Sequence, residues 1–238
     1  MTHLLQSSGS DLESPEETPD FPGVSGSRPV GRFSVAGRQG GRPIAVSAWR
    51  VTTEDRAVAE ALGELLGDVP QLLETGDEHV LEVQTRCDRF HILLEDSGAV
   101  SFRMVMRGSR GTLHICDGTR FLEPSRARGS LCGCPAGLAD RKAAAQAGRG
   151  PMPEALIRFR LADLPELGVF CLVSSSWELA AELPEVAAAL EVAATPALGV
   201  LRYELVGFTT RSGIAVSFRR PVVEVGRALD QDSVQLAA

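Results

Sequence analysis

The chain has 238 residues, a net charge of −7 and a hydrophobic content of 44%. This length can bury a core without disulfide bonds. No apolar run approaches the roughly 18 residues that a membrane-spanning helix needs, and the N-terminus shows no secretory signal. We therefore expect a cytoplasmic protein with no membrane partner, whose five cysteines are reduced. The negative charge disfavours a protein that mainly grips a phosphate backbone, although it allows a local basic patch.

Composition divides the chain into three parts. Residues 1–28 are rich in Ser, Gly, Pro and acidic residues, which predicts a disordered N-terminal tail. Residues 227–238 are similar and predict a flexible C-terminal tail. Residues 29–226 are interpreted as a single α+β domain that carries a cysteine-containing loop at 112–153.

Alternating or apolar runs in the first half of this domain predict strands. These runs are Arg32–Val35, Ile44–Val51, Val80–Thr85, Phe90–Leu94 and Val100–Met106. Asp96-Ser-Gly98 predicts a turn between the last two. His79 and His91 both sit in strand contexts. We interpret them as surface or sheet residues rather than catalytic bases.

A helix is predicted after the second of these strands. Thr52-x-x-Asp55 resembles a capping box at its start, and Gly67 is well placed to end it. The spacing of five apolar residues predicts one buried face, made of Val58, Ala61, Leu62, Leu65 and Leu66.

The second half of the domain contains two further helical patterns. A short one covers Ala139–Ala147. A longer one starts at Trp177, with Ser175 or Ser176 as its N-cap, and runs to Ala193, with Pro184 either kinking the helix or starting a second piece.

Strands are predicted around these helices, and Arg211-Ser-Gly predicts a hairpin between the last two. The strands are Ala155–Leu161, Gly168–Val173, Gly199–Thr210 and Ile214–Val225. Because strands outnumber helices and no βαβ rhythm is sustained, we predict an α+β fold with a mainly antiparallel sheet and two or three helices.

Five cysteines are the most informative side chains. Cys87 and Cys171 lie in strand contexts and are interpreted as core or sheet residues. The other three lie close to His114, in the segments His114-Ile-Cys116 and Cys132-Gly-Cys134. Zinc prefers four tetrahedral ligands from cysteine and histidine. The sequence therefore predicts a zinc site made by His114, Cys116, Cys132 and Cys134, with three reduced cysteines in a flexible surface loop as the alternative.

The chain also lacks common catalytic motifs. It contains no Walker A loop, no G-x-S-x-G elbow, no H-E-x-x-H helix and no G-x-G-x-x-G that opens a helix. The commonest hydrolase and nucleotide-binding folds are therefore disfavoured.

An ordered series of short motifs resembles the recombination directionality factors of actinophages. These proteins partner the large serine integrases of temperate phages of the phiC31 type. The motifs are Gly31-Arg-Phe-Ser-Val-Ala-Gly, Arg42-Pro, Trp49-Arg-Val-Thr-Thr, Cys116-Asp-Gly-Thr, Cys132-Gly-Cys-Pro-Ala, Leu164-Pro-Glu-Leu-Gly-Val and Trp177-Glu-Leu-Ala-Ala-Glu-Leu. The resemblance covers about residues 31–225. The family pattern has two further cysteines, where this chain has Thr112 and Pro151, so either His114 compensates or this member has lost its metal.

The resemblance implies a non-catalytic adaptor that binds a serine integrase and favours prophage excision, the joining of attL with attR. It also implies contact with DNA only indirectly, through the integrase, and no small-molecule substrate. Two alternatives remain open at this point. One is a metal-binding protein or hydrolase of unknown substrate, and the other is a host interaction protein with no recombination role.

Overall fold

The computed structural model describes residues 27–39, 42–66, 68–75, 78–109, 111–209, 213 and 215–226. The two predicted tails, apart from residues 27 and 28, lie outside these ranges, as do Gly67 and most of the Arg211-Ser-Gly turn. No helix within the ranges is long and apolar enough to cross a membrane.

Twelve strands and three α-helices make up the described part of the fold. The strands are β1 (Gly31–Gln39), β2 (Arg42–Thr53), β3 (Gln71–Thr75), β4 (Glu78–Gln84), β5 (Arg89–Leu94), β6 (Val100–Gly108), β7 (Gly111–Cys116), β8 (Phe121–Glu123), β9 (Met152–Leu161), β10 (Phe170–Ser174), β11 (Ala197–Thr209) and β12 (Ala215–Val225). The helices are α1 (Arg56–Leu66), α2 (Leu138–Gln146) and α3 (Trp177–Val192).

The strands form one sheet in the order β12-β11-β5-β9-β10-β1-β2-β4-β3. A branch leaves it at β9, where β6 pairs with β9, β7 with β6, and β8 with β7. Among the described strands only β1 and β10 pair in parallel, and every other pairing is antiparallel. The predicted α+β class with a mainly antiparallel sheet is confirmed.

The core is centred on Phe33 of β1, which is fully buried. Its ring makes edge-to-face contacts with Trp49, Phe90, Phe159 and Phe170, at centroid distances of 5.2–6.1 Å. Helices α1 and α3 cover this core, because apolar side chains of both helices belong to the same buried cluster. One face of the sheet therefore carries the main apolar core.

The start of α1 differs from the prediction. Asp55 caps the helix with its own carboxylate, whose Oδ1 accepts hydrogen bonds from the amides of Ala57 and Val58. The capping box was wrong, because Thr52 belongs to β2 and it is Thr53 Oγ1 that accepts from the Asp55 amide. The buried face holds Val58, Ala59, Leu62, Gly63 and Leu66, whereas Leu65 is exposed.

Helix α3 is continuous from Trp177 to Val192, with Pro184 inside it. The prediction of a second piece beginning at Pro184 was therefore wrong. The Ser176 hydroxyl accepts a hydrogen bond from the Leu179 amide, so Ser176 is the N-cap. Helix α2 agrees with its prediction to within one residue at each end.

Two further predictions are corrected by the fold. Cys171 is buried in β10 as expected, but Cys87 is exposed in the connection between β4 and β5, because the strand ends before it. The segment 112–153 is not a simple loop, since it contains β7 from residue 112 onward, β8 and α2. His91 lies on β5 and is exposed, as predicted.

Candidate functional site

Two neighbouring segments bring the four predicted ligands together. His114 and Cys116 lie on β7, opposite Met106 and Met104 of β6, and Cys132 and Cys134 follow β8. One ligand atom from each of the four residues lies within 4.8 Å of the others. The Cys116 and Cys134 sulfurs are 3.7 Å apart, too far for a disulfide bond. The cluster could hold a metal ion.

A tight turn after Cys116 aligns the two segments. The Asp117 carboxylate accepts hydrogen bonds of 2.7 Å from the amides of Thr119 and Arg120. These bonds, chiefly the one from Arg120, lower the pKa of the Asp117 carboxyl. Gly118 has a φ of +94°, a conformation that favours glycine. The Cys132 amide then donates to the Thr119 carbonyl at 2.9 Å, which places the second segment beside the first.

Arg141 of α2 holds the second segment. It donates through Nε to the Pro135 carbonyl at 2.6 Å and through Nη2 to the Ala136 carbonyl at 3.2 Å. The same guanidinium packs directly against Gly118, where a Cβ atom would overlap it. Arg141 therefore connects the turn after Cys116 to the chain after Cys134.

The electrostatics of the cluster favour neutral side chains until a cation is bound. Burial raises the pKa of the Cys116 thiol, and burial and the neighbouring Cys132 raise the pKa of Cys134. Burial lowers the pKa of His114, so its imidazole is neutral, the form that can bind a metal. Its buried Nε2 atom finds no hydrogen-bond partner in the described part of the chain. The ring is held by Phe121, with centroids 4.6 Å apart.

We call residues 116–151 the Cys lobe. The lobe contacts the rest of the protein through a small core in which Cys116 packs with Met104 of β6 and Trp177 of α3. An ion pair of 2.8 Å between Lys142 and Glu178 adds a second connection, between α2 and α3. The candidate site is therefore attached to the sheet and to the start of α3.

Comparison with known families gives a match over residues 26–225, to the Gp3-like family, described as recombination directionality factor-like. The chain belongs to this family. The match takes in nearly all of the described residues, including the Cys lobe. No solved structure matches the chain. Family membership indicates a role as an adaptor in recombination.

The two positions where this Gp3-like chain departs from the resemblance lie at the edge of the site. Thr112 is exposed near the start of β7 and is not part of the cluster. Pro151 lines a pocket of about 140 Å³ that also borders His114, Cys132 and Cys134. His114 nevertheless brings the number of side chains at the site that could bind a metal to four.

Sequence reasoning selected the four clustered residues but missed two of their supports. No pattern in the sequence signals that Phe121 packs on His114. Arg141 lies in the predicted helix Ala139–Ala147, but its bonds to Pro135 and Ala136 depend on how α2 docks.

Proposed function

We propose that this protein is a non-catalytic adaptor that binds a large serine integrase and favours excision, the joining of attL with attR. The family match over residues 26–225 carries this proposal. An adaptor changes the direction of a reaction by binding one synaptic arrangement more tightly than another. Reversing a 1:99 preference needs about 5.5 kcal/mol of differential binding, which a protein surface can supply without catalytic groups.

We also propose that the Cys lobe and His114 of β7 together hold one zinc ion, through His114, Cys116, Cys132 and Cys134. Two thiolates on one tetrahedral zinc, at about 2.3 Å each, lie about 3.8 Å apart. The 3.7 Å between the Cys116 and Cys134 sulfurs agrees with this value. The imidazole of His114 offers a fourth ligand atom, and its buried Nε2 has no other partner among the described residues.

A zinc ion with these ligands would serve a structural purpose. Four protein ligands complete a tetrahedral shell and leave no position for water or substrate. The bound ion would cross-link β7 to the chain after β8 and favour the thiolate forms of the cysteines. This donor set supports an adaptor over a hydrolase, which would need an open position on the metal.

Recombination in vitro tests the adaptor function. A large serine integrase from the same source would be assayed on attP with attB and on attL with attR. Adding the purified protein should inhibit the first reaction and stimulate the second. An unchanged direction at saturating protein, with every such integrase of the source, would refute the proposal.

Metal analysis tests the zinc site separately. Protein purified without chelator should contain about one equivalent of zinc. Cys134→Ser should lose most of it, whereas Cys87→Ser should retain it, because Cys87 is exposed and outside the cluster. A zinc content below about a tenth of an equivalent in the unaltered protein contradicts this assignment.

A further inference from the structure

Charge is distributed unevenly between the Cys lobe and the remainder of the chain. The lobe contains six Lys and Arg residues and three Asp and Glu residues, a net charge of +3. The rest of the chain contains 18 basic and 28 acidic residues, a net charge of −10. A segment of about 36 residues therefore forms a basic region on an acidic protein.

Arginines on the sheet are mostly neutralised by carboxylates. Ion pairs of 2.5–3.1 Å join Arg50 to Glu82, Arg103 and Arg107 to Glu154, Arg202 to Glu204 and Glu224, and Arg220 to Glu182 and Glu204. Each of these positive charges faces a negative charge of the same protein. These sheet arginines therefore have little uncompensated positive charge with which to bind a partner.

Arginines of the Cys lobe are bonded differently. Arg120 donates to the Gly129 carbonyl, Arg128 to the Leu122 carbonyl, and Arg141 to two carbonyls. Arg126 and Arg149 are exposed, and their guanidinium groups form no hydrogen bond or ion pair with any residue in the described ranges. Because a carbonyl oxygen carries no net charge, these bonds hold Arg120, Arg128 and Arg141 in place without neutralising them.

We propose that the Cys lobe binds the phosphate backbone of DNA through these arginines. Charge complementarity favours a polyanion, and the guanidinium fork matches the oxygen atoms of a phosphate. This inference rests on the proposed function, because a factor that acts on an integrase–DNA complex would meet DNA at close range. It departs from the expectation, implied by the family resemblance, that DNA is contacted only through the integrase.

The contact is weak for the isolated protein, because the acidic remainder of the chain repels DNA. It gains strength when an integrase holds the lobe beside its DNA, since binding then becomes intramolecular. Backbone contact carries no sequence preference of its own. Its signature is dependence on salt, with about 0.9 counterions released for each phosphate that is neutralised.

Fluorescence anisotropy with a labelled duplex of about 30 base pairs measures this dependence without any integrase. For about four phosphate contacts, affinity should fall roughly 150-fold between 50 and 200 mM salt. Arg126→Gln combined with Arg149→Gln should reduce that fall to roughly 12-fold and weaken binding at 50 mM salt. Neither side chain makes a described contact, so the fold should be retained, which circular dichroism verifies.

A matched control removes two exposed arginines outside the lobe, Arg56→Gln with Arg89→Gln, and changes the net charge equally. The proposal requires this control to keep the salt dependence of the unaltered protein. Equal losses in both variants, or no binding by the unaltered protein at about 100 μM and 50 mM salt, would overturn it. So would an unchanged DNA affinity in the lobe variant together with lost integrase binding, which would identify an acidic protein surface instead. Because no integrase is present in the DNA assay, its result is independent of the recombination test.

Discussion

The aromatic core around Phe33 and the Cys lobe are stabilised by different forces. Phe33 is fully buried among four aromatic rings, and apolar residues of α1 and α3 close over it. The lobe has little to bury, and its helix α2 contains no buried residue at all. Instead, hydrogen bonds accepted by Asp117 and donated by Arg141 hold it, beside four clustered side chains that could bind a metal ion.

This difference in stabilising forces predicts which substitutions the aromatic core and the Cys lobe should each tolerate. Burial of apolar surface is non-directional and contributes throughout the core, so a loss there affects the whole fold. The lobe depends on a few directional contacts, so a loss there should open the lobe alone. The following predictions test this division, from the largest expected effect to the smallest.

Truncation of the aromatic centre should have the largest effect. Phe33→Ala leaves a cavity between four rings and should lower the free energy of unfolding by about 3–5 kcal/mol. This is a large share of the roughly 5–15 kcal/mol typical of a folded domain. Urea denaturation followed by circular dichroism measures it. Leu131→Ala, at a lobe position that is 72% exposed, should change the value by less than about 0.5 kcal/mol. A loss below about 1 kcal/mol for Phe33→Ala contradicts a single central core.

Removal of the proposed zinc should affect the lobe and not the core. After treatment with a chelator, trypsin should cleave at arginines within residues 116–151 at least about tenfold faster, because loss of the metal cross-links opens the lobe. The remaining fragments should stay resistant, as judged by mass spectrometry. Cys134→Ser should reproduce this pattern without chelator, and Cys87→Ser should not. Uniform degradation of the whole chain would show that lobe and core unfold as one unit.

Two glycines separate backbone strain from loss of the Arg141 contact. Gly118 and Gly133 both have positive φ values, +94° and +75°, but only a Cβ at Gly118 would overlap the Arg141 guanidinium. Gly133→Ala should lower the opening free energy of the lobe by about 1 kcal/mol through strain. Gly118→Ala should lower it by about 2–4 kcal/mol, because displacing Arg141 also leaves the Pro135 and Ala136 carbonyls without their donor.

Hydrogen exchange of residues 132–146, followed by mass spectrometry, measures both glycine variants. Similar exchange rates in the two proteins would mean that Arg141 does not hold the lobe. Faster exchange across β1 and β10 as well would mean that the effect of the substitution is not confined to the Cys lobe.

The ion pair between lobe and α3 should contribute least. Lys142 and Glu178 are both more than a third exposed, so Lys142→Ala should cost less than about 1 kcal/mol, and less still in high salt. Arg56→Ala, which removes an exposed pair within α1, is the matched control and should have a similarly small effect. Thermal denaturation at low and high salt compares the two. A loss above about 2 kcal/mol would mean that the pair is shielded from water.

The same pair has a defined pH dependence. Burial alone would raise the pKa of the Glu178 carboxyl, but the hydrogen bond and positive charge of Lys142, with hydrogen bonds from the Glu178 amide and Ser176, together outweigh it and lower the pKa below its ordinary value of 4.5. A lowered folded-state pKa means that the contribution is present above about pH 4.5 and is lost as the pH falls through the folded-state value. Lys142→Ala should therefore differ least from the unaltered protein in strongly acidic solution.

Local patterns predicted much of this fold because local physics produces it. Ser176 caps α3 through an amide three residues away, and Asp96 accepts from the Gly98 amide to make the predicted turn. The antiparallel hairpin of β11 and β12 joins neighbours in the chain. The parallel pairing of β1 with β10 joins Gly31 to Phe170, and no local pattern announces a partner that far along the chain.

For the candidate site, too, the sequence predicted one part and the tertiary structure was needed for the other. Residue types and spacing were enough to select His114, Cys116, Cys132 and Cys134, because few side chains bind zinc. They could not distinguish exposed Cys87 from buried Cys171, since both lie beside apolar runs and the difference is where the strand ends. Residue types and spacing also could not show that Arg141 donates to the Pro135 and Ala136 carbonyls and packs against Gly118.

The amino-acid sequence by itself determined the fold class, most helices and strands, the family and the four candidate ligands. The family follows from the resemblance of short motifs, and the other features follow from periodicity, capping and side-chain chemistry, which act over a few residues. Only the tertiary structure decided that the four candidate ligand atoms converge within 4.8 Å and that three arginines of the Cys lobe, Arg120, Arg128 and Arg141, are bonded to carbonyl groups rather than carboxylates. Convergence and charge neutralisation depend on which distant segments pack together, and packing is a property of the whole chain.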